Sequence, residues 1–456
     1  MSETRSRRGL SRLGPALTVR EFRLWWLAAI GMNVGLQMID TAIGWQVYSQ
    51  HRSALDLGWI GLAEFLPMFV LALPAGHLAD RLPRRAVFAG SLVLGAGVGV
   101  GLALISGFGV TAVLPFLAFA LATGTTMALA SPAATAMPPT LVPPELLASA
   151  MNLRSVATRA ASVIGPAIGG VLFAVSAAAV YGTAAAVCLL AAVCVLLMRP
   201  SPTAASLATN GSGAPSLRSV LEGLRFVART PILLGAILLD LLGVLFGGAI
   251  ALLPIFASTI LQVGPTGLGV LRAAPAIGAL LAAAVITRRP IGGHAGRTLL
   301  TVVALFGASM VIFGLSRSYP LSLLALGFSG YVDLYNMNIR STISARATPD
   351  RLRGRVGAVE MVFISASNEL GAFESGIAAA LVGAVPAVVG GGALTILIAL
   401  TWQRAFPALA HVDNLHDIKP HTTQTLASLP HQPHNSQPNH NGHAPIGAPI
   451  RPSHEA

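Results

Sequence analysis

Apolar segments of about 20 residues recur along most of this chain, each long enough to cross a hydrocarbon layer about 30 Å thick. Twelve are readable, at about 24–48, 57–79, 86–107, 110–131, 146–175, 177–198, 231–261, 266–287, 298–316, 319–344, 355–384 and 386–404. Only 10% of the 456 residues are charged and the mean hydropathy is +0.72, whereas soluble domains carry about 25% charged residues. The chain therefore reads as an all-α polytopic membrane protein. Its many Gly and Pro residues fit this class, because Gly lets membrane helices pack closely and Pro is tolerated as a kink.

Charge placement sets the expected topology. With both termini in the cytoplasm, 23 of the 29 Lys and Arg fall in cytoplasmic segments and only Arg52 and Arg317 fall in outside loops. That is the positive-inside pattern. The net charge of +12 thus reports orientation rather than a nucleic-acid partner. The first span contains Asn33, Gln37 and Asp40, so it reads as a retained helix rather than a cleaved signal. Cys188 and Cys194 lie six residues apart in one apolar run and read as small core residues.

The chain divides into a basic N-terminus (1–23), a six-span bundle (24–198), a linker (199–230), a second bundle (231–404) and a tail (405–456). Pro200 to Pro215 is flexible by composition. The stretch from Ser216 to Thr230 places Leu217, Leu221, Leu224 and Val227 at helical spacing between charges, as in an amphipathic helix on a membrane surface. An internal repeat supports the division. At an offset of 206 residues, Val142 to Asn152 aligns with Thr348 to Ala358, carrying Pro143 onto Pro349, Gly165 onto Gly371 and Gly170 onto Gly376. Parallel repeats of six helices follow. The tail is polar and reads as disordered, and its histidines, His431, His434, His440 and His443 among them, have no defined metal spacing.

Two stretches between and within the spans carry recognisable patterns. GHLADRLPRR, Gly76 to Arg85, has the form G-x-L-A-D-R-x-x-R-R and resembles motif A of the major facilitator superfamily. GPAIGG, Gly165 to Gly170, can be read as close helix packing through Gly165 and Gly169. It also resembles the core of motif C, the G-P-x-x-G-G signature of exporting antiporters, with Gly165, Pro166, Gly169 and Gly170 at the matching positions and the upstream glycines missing. The stretches Pro139 to Gly170, Gly264 to Leu280 and Thr348 to Met361 are similar to the enterobactin exporter family and related secretion-effector transporters, over roughly residues 18 to 404. The resemblance implies a twelve-helix, proton-coupled exporter in two parallel-repeat bundles, placed in a bacterial inner membrane. It also implies that Asp80, with Arg81, Arg84 and Arg85 after Gly76, latches cytoplasmic helix ends in the outward-open state. The fourth span has no arginine, so motif B, associated with proton coupling, is missing.

Polar groups inside spans face a cavity or another helix, because charge at the bilayer centre is costly. Asn33, Gln37, Asp40, Thr41 and Gly44 share one face of the first span, and Asp240, Gly243 and Gly247 one face of the seventh. Ser329, Asp333, Asn336 and Arg340 do so in the tenth, and Glu360, Ser367, Gly371 and Glu374 in the eleventh. The expected proton-coupling residues are Asp40, Asp240, Asp333 and Glu64. The expected substrate-cavity residues are Asn33, Gln37, Arg159, Asn336 and Arg340. No phosphate loop and no Ser/His/Asp arrangement stands out, so the chain is not expected to be an enzyme or to use a metal or cofactor. The expected function is proton-driven export of a small amphipathic molecule, a siderophore or drug, by a monomer in the bilayer. An importer or facilitator of the same fold, and a non-transporting receptor or scaffold, are the alternatives.

Overall fold

A computed structural model of the protein describes residues 14–199, 217–288 and 293–413, with the side chains of 72–81 and 217–219 outside the description. The first half contains α1 (Arg20–His51), α2 (Ala54–Arg81), α3 (Arg84–Gly107), α4 (Val113–Ala136), α5 (Leu147–Val175) and α6 (Ala177–Leu196). A short helix, α7 (Leu217–Arg229), precedes the second half. There follow α8 (Pro231–Gly247), α9 (Gly264–Arg288), α10 (Ala295–Leu315), α11 (Tyr319–Ala347), α12 (Arg353–Val382) and α13 (Ala384–Ala405). Helices satisfy their backbone groups within one segment, which is what lipid demands. Among the described residues, 10 helical segments are long and apolar enough to span a membrane. The two long helices outside that count, α11 and α12, have 29 and 30 residues and carry much of the buried polar chemistry.

The twelve long helices pack as two copies of one pattern. In the first half α3 packs on α6 and α4, α2 on α4, and α1 on α5 and α6. The second half repeats each pair: α10 on α13 and α11, α9 on α11, and α8 on α12 and α13. The crossings between the halves also obey the repeat, since α5 meets α9 and α2 meets α12. Local geometry agrees to the residue. Pro143 (ψ 154°) leads into a 3-10 turn over Pro144–Leu146 and then α5. Pro349 (ψ 147°) leads into a 3-10 turn over Asp350–Leu352 and then α12. Pro fixes φ near −65°, so each helix starts at the same register.

One expected span is not continuous. The seventh segment is helical to Gly247, turns at Gly248 (ψ 99°), and resumes as 3-10 Ile250–Leu252 and a π-helical turn at Phe256–Ile260. Gly247, Gly248 and Pro254 supply the physical reason, because neither residue type supports an uninterrupted helix interior. Residues 407–413, grouped with the tail above, instead pack on the start of α10. Ala295 and Gly296 donate backbone hydrogen bonds to Asp413 and Val412, and Leu409 is fully buried. The tail histidines and the linker 200–215 lie outside the described residues. The amphipathic helix is present as α7. Its Glu222 pairs with Arg355 at 2.6 Å, and its Val227 is buried with Val356 and Val359 of α12.

The halves meet closely at the end that bears the α1–α2 and α5–α6 turns. A Cβ on Gly170 would lie 2.5 Å from the Pro265 carbonyl and 3.0 Å from Gly269 Cα. The repeat-related crossing is the same: a Cβ on Gly376 would lie 2.7 Å from Gly58 Cα. Both crossings therefore need glycine. Tyr48 adds a hydrogen bond to Thr259 in the π-turn, 3.2 Å, at this same end. Gly376→Ala should wedge the crossing apart. In a Cys188→Ala, Cys194→Ala background, alkylation of a Leu57→Cys variant from this end should rise about fivefold, the effect of ~1 kcal/mol on a two-state balance. An unchanged rate would show that the glycine crossing does not hold this end shut.

Candidate central cavity and its charged lining

A cavity of about 510 Å³ lies between the two halves, lined from α1 by Gln37 and Asp40, from α2 by Glu64, from α9 by Arg272, from α11 by Asp333 and from α12 by Glu369. Arg272 donates to Asp40 Oδ2 at 2.8 Å and to Thr41 Oγ1 at 3.3 Å. This ion pair joins α1 to α9, one helix from each half. The Arg272 side chain is 10% exposed and that of Asp40 33%, so the pair sits at the cavity wall rather than in a sealed core. Four carboxylates line the cavity against one guanidinium. The Glu64 Oε1 atom is buried with no hydrogen-bond partner among the described residues.

A second polar network lies between α8 and α11. Asn336 donates to Asp240 Oδ1 at 2.6 Å, and Arg340 lies 3.5 Å from Asp240 Oδ2. Asp240, Asn336 and Arg340 are all buried. Asp333 borders this network as well as the main cavity. Asn336 and Arg340, expected in the substrate cavity, are thus turned into a buried cluster within the second half. A separate crevice of about 410 Å³ on α5 holds Arg154, Ser155, Thr158, Arg159 and Ser162. Arg159 lines this crevice, within electrostatic reach of Asp333 in the central cavity.

The remaining sequence candidates divide in the same way. Asn33 bonds back to Ala29 O at 2.7 Å in its own helix and is absent from the cavity lining. In GPAIGG, Gly165 packs on Gln37, Gly169 on Met38, and Gly170 on α9, with the Pro166 carbonyl against Gly269. Arg84 donates to Ala136 O at 3.3 Å, while Arg85 donates to Val195 O at 2.9 Å and to Leu196 O. Both arginines cap the carbonyl ends of helices, where positive charge is favourable. Gly76, Asp80 and Arg81 fall within α2, and their side chains lie outside the described residues.

Two charged lining residues were not singled out from the sequence, Arg272 and Glu369. Arg272 had a signal: an arginine within a span requires an acid partner, and Asp40 supplies it. Glu369 was hidden by the helical phase used for the eleventh span. It lies on the face of α12 opposite Ser367 and Gly371. Those two belong to the face packed on α8, where a Cβ on Gly371 would lie 2.9 Å from Leu245 O and Ser375 donates to Gly248 O at 3.0 Å.

Two repeated six-helix sets closing on a charged central cavity define a membrane transporter of the major facilitator type. Residues 11–431 match the family described as transmembrane secretion effectors, and the chain belongs to that family. It is 30% identical over 379 residues to the multidrug efflux pump Tap of Mycolicibacterium fortuitum, covering 76% of this chain and 87% of that one. It is 29% identical over 376 residues to the enterobactin exporter EntS of Shigella boydii serotype 18, covering 81% and 86%. The fold is also that of a D-xylose–proton symporter, with a TM-score of 0.64, 14% identity and coverage of 86% and 98%. A bacterial homologue of the lysosomal transporter Spinster in an inward-facing conformation gives 0.62, with 14% identity and coverage of 85% and 96%.

Removing one member of a buried ion pair strands the other charge, and both members together are less costly to lose. Arg272→Gln should therefore destabilise the protein by about 2 kcal/mol, below the usual buried-pair range because Asp40 is partly solvated. Asp40→Asn/Arg272→Gln should recover more than half of that loss. Thermal unfolding in detergent measures both, and equal losses in the single and double variants would remove the pair as a structural link.

Proposed function

We propose that the protein exports a small amphipathic molecule, a siderophore or drug, across a bacterial inner membrane in exchange for protons, by alternating access and as a monomer. The observation that carries this reading is the Asp40–Arg272 pair, which lies at the cavity wall and joins the two halves. A carboxylate so placed can exchange its arginine partner for a proton as the halves separate. Proton entry and conformational switching are then linked through one group. Named relatives that export, at 29–30% identity over most of the chain, support the outward direction.

In this reading both termini are cytoplasmic, by the arginine distribution. The glycine crossings then close the outer end, and the Arg154–Ser162 crevice faces the cytoplasm. The halves are residues 24–198 and 231–404. Gly76, Asp80, Arg81, Arg84 and Arg85 form the cytoplasmic latch, with Arg84 and Arg85 holding the ends of α4 and α6. Inward opening releases Asp80 from the opposite half. Of the other acids expected to carry protons, Asp240 and Asp333 hold a supporting place in the field of Arg340, while Glu64 stays in the cavity wall.

Everted vesicles offered a dye or siderophore from outside test the reading. Wild-type uptake into them should need a proton gradient and collapse with a protonophore. Asp40→Asn should reduce gradient-driven transport close to background while leaving substrate counterflow, which needs no net proton movement, largely intact. Full gradient-driven transport in that variant would exclude Asp40 as the coupling group.

A further inference from the structure

Three cavity acids stand outside the ion pair: Asp333, which is held by Asn336 and lies in the fields of Arg340 and Arg159, and Glu64 and Glu369, which have no such support. Asp40 is matched by Arg272, but Glu64 and Glu369 have no ion-pair partner among the described residues. The charged groups whose fields reach Glu64 are Asp40, Glu369 and Arg272. Glu64 is on α2 and Glu369 on α12, so the two acids belong to opposite halves. They are brought together by the same α2–α12 crossing that needs Gly58 and Gly376. A Cβ on Gly61, one turn before Glu64, would lie 3.9 Å from Glu369 Oε2. Leu57, Ile60, Pro254, Phe306, Met310 and Leu326 make the apolar part of the lining, with Gln37, Ser329 and Asn368 as its neutral polar part.

We propose that Glu64 and Glu369 form a binding site for an organic cation, which bridges the two halves inside the central cavity. The proposal rests on the reading of this cavity as the substrate path. An anion would meet four carboxylates with one arginine, which is already paired. A small alkali or divalent ion strips its water only for several oxygen ligands in one shell, and among the described residues no three acidic, His or Cys side chains are gathered closely enough to supply one. A delocalised cation on an apolar body satisfies both surroundings. Its charge meets the carboxylates, and its body meets the aliphatic walls and the Phe306 ring. The volume of about 510 Å³ is in the range of pockets for drug-sized ligands. Because the acids come from different halves, such a ligand ties α2 to α12 directly.

Tetraphenylphosphonium and tetraphenylborate have the same shape and opposite charge, so they isolate the charge preference. Each is titrated onto the full-length protein in lipid nanodiscs, with no gradient. The phosphonium should bind saturably, and the borate should not. Glu64→Gln/Glu369→Gln should weaken phosphonium binding by at least about tenfold, the loss of a sheltered ion contact, while Glu64→Asp/Glu369→Asp, which keeps the charge, should retain most of it. Phosphonium binding unchanged in the Gln pair, lost equally in the Asp pair, absent from the wild type, or no tighter than borate binding would each overturn the proposal. The two readings fail separately. Phosphonium binding with no gradient-driven export faults the exporter reading alone, and export of a neutral compound without phosphonium binding faults this site alone.

Discussion

A charge inside a membrane-spanning bundle must be compensated within reach of its side chain, and in this protein one such compensation crosses the seam between the halves. Arg272 comes from α9 and Asp40 from α1. Neither half alone could hold its own charge there at low cost. The contact depends on close approach of the halves, and that depends in turn on glycine at the α5–α9 and α2–α12 crossings. Backbone packing and electrostatics are therefore one constraint: the absence of side chains at the crossings lets the ionic groups meet.

The helix packing is symmetric between the halves, but the charges are not. The first half's Asp40 finds its cation in the other half, while the second half's Asp240 finds Asn336 and Arg340 inside its own. A motion that separates the halves must break the first pairing and can leave the second intact. The Asp240 network is then ballast that keeps α8 and α11 together as a rigid unit. The hydrogen bonds linking Gln46 to Ser106 and Tyr181 do the same for α1, α3 and α6. Symmetric packing with asymmetric charge leaves, among the described residues, the Asp40–Arg272 pair as the ionic contact across the seam.

The fold was legible in the sequence to within a few residues at most helix ends, because long apolar runs and positive loops leave a chain in lipid few choices. The repeat was legible too, and the two Pro-led turns before α5 and α12 obey its 206-residue offset, Leu147 to Arg353. The break after Gly247 was missed because hydropathy averages over Gly and Pro without seeing backbone geometry. The site was only partly legible. A stripe of polar and small residues marks a face, but not what the face meets. On α1 the stripe reached the cavity at Gln37 and Asp40, yet Asn33 at the same phase turned back to its own backbone. On α12 the stripe marked packing on α8, and the cavity acid Glu369 lay on the opposite face. Small residues gather where helices touch as well as where cavities open, so phase alone cannot separate the two.

Charge conservation separates them better. A buried cluster that is balanced, such as Asp240 with Arg340 and an amide from Asn336, asks nothing of a ligand. A cavity lined by Asp40, Glu64 and Glu369 against Arg272, with Asp333 in the fields of Arg340 and Arg159, still leaves Glu64 and Glu369 without a cation of their own among the described residues. Whatever enters such a space must supply positive charge, as protons, as the substrate or as both, because isolated carboxylates in a low dielectric are too costly to leave bare. When the halves part, the Asp40–Arg272 contact is lost and the demand for positive charge at the acids rises. Under the proposed alternating access, the imbalance that a static core would have to eliminate is what would give an incoming cation a different hold on the two conformations.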